Sequence, residues 1–201
     1  LTEEQRCPPF WLPVIGSCQG WVHAQRGLLE QGIAEMRQGL ADTNRSTTIR
    51  APCRKGWIAE ACARAGRVEE GLALVSEALE QVERTGERWN EAELWRLKGE
   101  LLRLGDAGTR GHGDSGSRGL GGPIAAEEAE ACFRRAITVA QSQQAKSWEL
   151  RAATSLARLL RSQGRAAEAR EMLAAIYGWF TEGFDTPDLV EAKGLLRELE
   201  I

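Results

Sequence analysis

Small residues return along this chain at one fixed spacing. Gly20 is followed by Gly32, Ala59 by Gly71 and Ala157 by Ala169, each pair at i and i+12. A further glycine lies between the members of each pair: Gly27, Gly66 and Gly164. Glycine can end a helix in the left-handed conformation. A small residue on either side of such a turn lets two antiparallel helices approach closely. The pattern therefore asks for helical hairpins, and it asks for them repeatedly. Gly66 follows Gly27 at i+39, whereas Gly164 follows Gly66 at i+98, which is two such units and a remainder.

A fourth hairpin accounts for the remainder. Residues 91–104, EAELWRLKGELLRL, form its first helix and 125–140, AAEEAEACFRRAITVA, its second, but here the small residues Gly99 and Ala129 stand at i and i+30. Compared with i+12 elsewhere, a stretch has been added between them. It belongs to 105–123, GDAGTRGHGDSGSRGLGGP, which reads as a flexible Gly/Ser-rich insertion.

The rest of the chain supports helices. Ala, Leu, Glu, Arg and Gln dominate. Leu150, Ala153, Leu156, Ala157 and Leu160 make an apolar stripe at helical spacing, as do Leu189, Ala192, Leu195, Leu196 and Leu199. No alternating strand pattern stands out. Asp185 or Thr186 can cap the last helix, with Pro187 in its first turn. The expected fold is all-α: an α-solenoid of four helix–turn–helix hairpins with a period near 40 and a C-terminal capping helix. A single repeat domain spans 1–201, with units at about 9–42, 50–85, 87–143 and 145–180 and the cap at 186–200. Met36, Val75, Phe133 and Leu173, four positions after the small residue of each second helix, are expected to pack against the next hairpin.

Composition narrows the function. Net charge is −3, which gives no electrostatic footprint for nucleic acid or an anionic membrane. No apolar run approaches the roughly 18 residues of a membrane span. The first residues, LTEEQRCPPF, do not read as a signal peptide, and the absence of an initial Met suggests an excised piece of a longer protein. The five cysteines are odd in number and contain no CxxC, so buried thiols in a reducing cytoplasm are expected, without metal or cofactor.

Two familiar spellings inside the insertion do not carry chemistry. GHGDSG (111–116) has the spacing of a dinucleotide loop, but such a loop follows a strand and opens a helix, and this one follows a helix. GDSG places Ser115 where some hydrolases keep a nucleophile. A serine nucleophile needs a base within hydrogen-bond reach and a rigid oxyanion hole. His23 and His112 are the only histidines, and His112 shares the same loop. A hydrolase acting through Ser115 is thus a remote alternative, and no catalysis is expected.

Several of these residues resemble tetratricopeptide repeats: Trp95, Gly99, Leu102, Ala129, Phe133 and Ala136 in the third unit, and Leu156, Ala157, Leu160, Gly164 and Ala169 in the fourth. The period exceeds the family's usual length of about 34 residues, which implies longer helices. More specifically, 87–102, 129–159 and 177–196 are similar to the C-terminal repeat region of bacterial signalling proteins that join an adenylate/guanylate cyclase domain to an AAA-type ATPase. That resemblance implies a regulatory or scaffolding part, with cyclase and ATPase chemistry elsewhere. The partner would be a protein or peptide, or upstream domains of the same chain. Small-molecule sensing, as in related regulatory ATPases, is the alternative, and it would need a deep apolar pocket with a few convergent polar groups.

First-helix positions are expected to line the concave face. Arg151, Arg158 and Arg161 fall within one arc, and Trp148 joins that side. Arg96 and Arg103 are candidates in the third unit, Glu60 and Arg64 in the second and Trp21 in the first. Arginine forks beside an aromatic suit an acidic peptide or a carboxylate end. The competing expectation is a solvated mixed-charge face, since Glu93 and Glu100 are interleaved with the arginines. Trp57, Trp89, Trp95 and Trp148 are expected in inter-repeat contacts, and Tyr177, Trp179, Phe180 and Phe184 at the hinge into the cap.

Overall fold

The structure is a computed structural model, described here for residues 12–43, 50–110 and 123–200. Among these residues there are nine helices and no strand: α1 (Leu12–Gln25), α2 (Leu29–Thr43), α3 (Ala51–Arg64), α4 (Val68–Thr85), α5 (Glu91–Arg110), α6 (Pro123–Ser142), α7 (Lys146–Ser162), α8 (Ala166–Tyr177) and α9 (Pro187–Glu198). The chain divides into two compact units, Leu1–Arg88 and Trp89–Ile201.

The hairpin turns are built from the backbone. Gly27, Gly66 and Gly164 have φ of 90°, 74° and 78°, as their place after a helix requires. In each turn the next residue donates its N–H five positions back: Leu28 to His23 O at 3.0 Å, Arg67 to Cys62 O at 2.8 Å, Arg165 to Leu160 O at 2.9 Å. This satisfies carbonyls that the helix end would otherwise orphan. Ala145 closes on Ala140 O in the same way at 2.9 Å, but there the left-handed residue is Gln144, with φ 55°.

In the first unit, α1 packs on α2, α3 on α4, and α2 on α3. A Cβ on Gly32 would lie 2.5 Å from Gly20 O, and one on Gly20 would lie 2.7 Å from Gly32 O. Only two glycines permit this approach of backbone to backbone. Behind the contact, Ala24, Ile33, Met36, Ile58, Ala61 and Cys62 form one apolar layer, in which Met36 meets the next hairpin as expected.

In the second unit, α5 pairs with α6 and α7 with α8, and α9 lies on both α7 and α8. Within its own hairpin the ring of Phe133 lies across Gly99, where a Cβ would meet the ring at 2.6–2.9 Å. α7 is wrapped by α5, α6, α8 and α9, so it is buried along most of its length. Thr186 occupies the N-cap position of α9 ahead of Pro187, though its hydroxyl donates back to Gly183 O at 2.7 Å.

The expected insertion begins within a helix. α5 continues through Gly105 and Gly108 to Arg110, and α6 starts at Pro123. His112 and Ser115 lie outside the described residues.

Candidate functional site

Burial of α7 leaves few of its side chains reaching solvent, and the arginines are prominent among them. Arg151 and Arg158 stand at i and i+7 and share a face. Together with Arg96 of α5, Thr154 and Ser155 of α7, and Asp188 and Glu191 of α9, they line a polar cleft of about 350 Å³, counting its open mouth. Thr154 and Ser155 are buried at its floor. Thr154 donates to Leu150 O at 2.8 Å, which leaves Ser155 as the other hydroxyl lining the cleft.

The guanidinium groups are held by carboxylates of this chain. Arg96 grips Glu93 with two of its three guanidinium nitrogens, Nε to Oε2 at 2.9 Å and Nη2 to Oε1 at 2.7 Å. Arg151 Nη2 lies 3.0 Å from Glu93 Oε1, and its Nε 3.9 Å from Asp188 Oδ1. Arg158 pairs with Glu191, and Arg161 with Glu198. Arg103 Nη2 is 3.0 Å from Glu100.

Burial works to raise the pKa of Glu93, but the charge and hydrogen bonds of Arg96, with Arg151, outweigh it and hold the carboxyl below its ordinary range. Burial lowers the pKa of Arg158; Glu100 opposes this, while crowding by Arg103, Arg96 and Arg161 adds to it.

Of the residues expected at a binding surface, Arg96, Arg151 and Arg158 line this cleft, and Arg103 and Arg161 lie within electrostatic reach of Arg158. Trp148 does not line it. It packs against Ala92, Val139 and Ala140, and its ring centroid is 5.9 Å from that of Trp89. Trp21, Glu60 and Arg64 belong to the first unit. Trp21 stacks at 6.0 Å from Trp57, Arg64 donates to Gln25 Oε1 at 3.2 Å, and Glu60 is partly exposed on α3.

The arginine forks are therefore not open sockets, and a charge reversal at Arg151 would set a third carboxylate beside Glu93 and Asp188. Thr154, Ser155, Asp188 and Glu191 were not foreseen. A usable signal existed for Asp188, which stands at i+37 from Arg151 as Glu198 does from Arg161, close to the repeat period.

His23 is also committed, its Nδ1 lying 2.6 Å from Glu35 Oε2. Hydrogen bonds from Gln31 and then His23 hold the Glu35 carboxyl below its ordinary range. Among the described residues no group of three His, Cys, Asp or Glu could hold a metal ion, and no helix is long and apolar enough to cross a membrane.

No protein-family profile and no curated protein matches the chain. Among solved structures it is similar to a kinesin-light-chain-like protein of Podosopora anserina with nearly identical TPR-like repeats. The TM-score is 0.64 at 16% identity, over 96% of this chain and 87% of that one. A variant of that protein gives 0.63 at 14% identity over the same shares. At such identities the likeness concerns the fold: the chain has an all-α, tetratricopeptide-like helical-repeat fold.

Proposed function

We propose that the chain is a non-catalytic protein-interaction module, and that the α5–α7–α9 cleft receives carboxylates of an acidic partner segment. The observation that carries this reading is the convergence of Arg96, Arg151 and Arg158 above Ser155. Guanidinium forks match carboxylates in shape and charge. Because Glu93, Asp188 and Glu191 already hold these groups, a partner's carboxylates must exchange with them. Exchange of like for like yields little net energy, so binding is weak, reversible and steeply salt-dependent.

The polar lining favours this reading over a small-molecule sensor, which would need apolar walls. Likeness of 87–102, 129–159 and 177–196 to the repeat region of bacterial cyclase–ATPase proteins supports a regulatory or scaffolding role in a cytoplasmic signalling protein, with another protein or another domain as partner.

The test is fluorescence anisotropy of a labelled Asp/Glu-rich peptide with a free C-terminus against the full chain. Binding should weaken about tenfold in Arg158→Ala, corresponding to about 1.4 kcal/mol, and should fall as salt rises from about 50 to about 300 mM. Equal affinity of wild type and Arg158→Ala would refute the cleft assignment.

A further inference from the structure

We propose that the outer face of α1 is a docking site for an amphipathic helix whose apolar stripe resembles Ile33, Met36 and Leu40 of this chain. The starting observation is that α1 is apolar on two opposite sides. Ser17, Gly20 and Ala24 form its buried face against α2. Leu12, Ile15 and Val22 lie on the far side and are 58%, 42% and 38% exposed. No Asp, Glu, Lys or Arg occurs from Leu12 to Gln25. A helix that is hydrophobic all round belongs in a buried position. Here the outer face instead opens onto a shallow hollow lined by Val14, Ile15, Cys18, Gln19, Val22 and His23, about 800 Å³ counting its open side.

The repeat itself says what chemistry fits. Gly20 of α1 corresponds to Ala59 of α3, which aligns the two helices at i and i+39. Leu12, Gln19, Val22 and His23 then correspond to Ala51, Ile58, Ala61 and Cys62, all of them buried. Ile58, Ala61 and Cys62 are covered by the preceding hairpin: Ala24 of α1, Ile33 and Met36 of α2, and beside them Leu40. The face that is sealed on α3 is thus the same face that is open on α1. What seals it on α3 is chiefly a helix with apolar residues at i, i+3 and i+7. The uncharged surface of α1 adds no ionic preference, so recognition rests on apolar shape.

The probe is a peptide of residues 28–43, kept helical by a side-chain cross-link between positions 34 and 38, both exposed in α2. Anisotropy against the full chain should show saturable binding. Binding should weaken at least about tenfold in the double variant Ile15→Lys with Val22→Lys, and fail when Ile33, Met36 and Leu40 of the peptide are serine. Both substituted residues are exposed, so the melting temperature should hold, and circular dichroism checks that. The proposal is overturned by absence of saturable binding, or by binding indifferent to the double variant. It is also overturned if the wild-type chain sediments as a dimer that the double variant dissolves, which makes a second copy the occupant. Binding that occurs only after removal of residues 1–11 would make that segment the occupant instead.

Discussion

Arg151 of α7 places its Nη2 3.0 Å from Oε1 of Glu93 on α5. Glu93 is simultaneously gripped by Arg96, and its carboxyl titrates below the ordinary carboxylate range. In the unfolded chain the same carboxyl titrates at its usual value, so as pH falls the unfolded state takes up the proton first. The stability contributed by these pairs is present above the unfolded value, near 4.5, and is lost as pH drops below it toward the folded value. Urea unfolding at about pH 6 and pH 3.5 should show a smaller acid loss for Glu93→Gln than for wild type. Identical losses would mean that Glu93 does not contribute to acid sensitivity. Arg151→Glu, by gathering three carboxylates, should lower stability by about 1–3 kcal/mol at neutral pH.

The glycines of the hairpins divide into those that are crowded and those that are not. A Cβ on Gly32 would lie 2.5 Å from Gly20 O and 2.7 Å from Ala24 N, both backbone atoms that cannot rotate away. Gly32→Ala should force α1 and α2 apart and cost about 1–3 kcal/mol or more. A Cβ on Gly194, inside α9, meets nothing within 4 Å. Gly194→Ala should stabilise by about 0.5–1 kcal/mol through helix propensity alone. Chemical denaturation of the two variants tests the contrast, and equal signs would contradict the packing described for α1 and α2.

Left-handed backbone gives a second pair. Gly66 sits at φ 74° with open space around it, so Gly66→Ala should cost about 1 kcal/mol for conformation alone. Gln144 takes the same role at φ 55° with a side chain present. Relief of roughly 1–2 kcal/mol of left-handed strain, less about 0.4–1 kcal/mol for a more flexible unfolded chain, predicts that Gln144→Gly stabilises slightly. A destabilised Gln144→Gly in thermal melts would show that the Gln144 side chain, rather than the backbone, holds that turn.

The repeat was legible because its causes are local. Close approach at Gly20 and Gly32, and positive φ at Gly27, Gly66 and Gly164, are demands that glycine meets and few other residues can. Gly105 and Gly108 misled for the same reason: they read as loop, yet a helix already established from Glu91 to Leu104 propagates through them. The cleft was half legible. Arginine positions follow from helical periodicity, but whether Arg151, Arg158 or Arg161 is open or held depends on carboxylates that other helices bring to it. Arg54 makes the point most sharply, since a charged residue that reads as surface is 1% exposed on α3.

Thiol chemistry should sort the cysteines by burial. Cys18 is exposed on α1, whereas Cys53, Cys62 and Cys132 are buried. Burial pushes the Cys53 thiol up to about 12, and it raises Cys62 and Cys132 as well. Only the thiolate attacks an alkylating reagent, so at pH 8 about one Cys53 in ten thousand is in the reactive form even before access is considered. Iodoacetamide at pH 8 followed by peptide mass mapping should therefore label Cys18 quickly. Cys53, Cys62 and Cys132 should be labelled only in denaturant. Rapid native labelling of Cys53 would show that α3 is not packed along its first turn as described, and would undo the burial of Arg54 beside it.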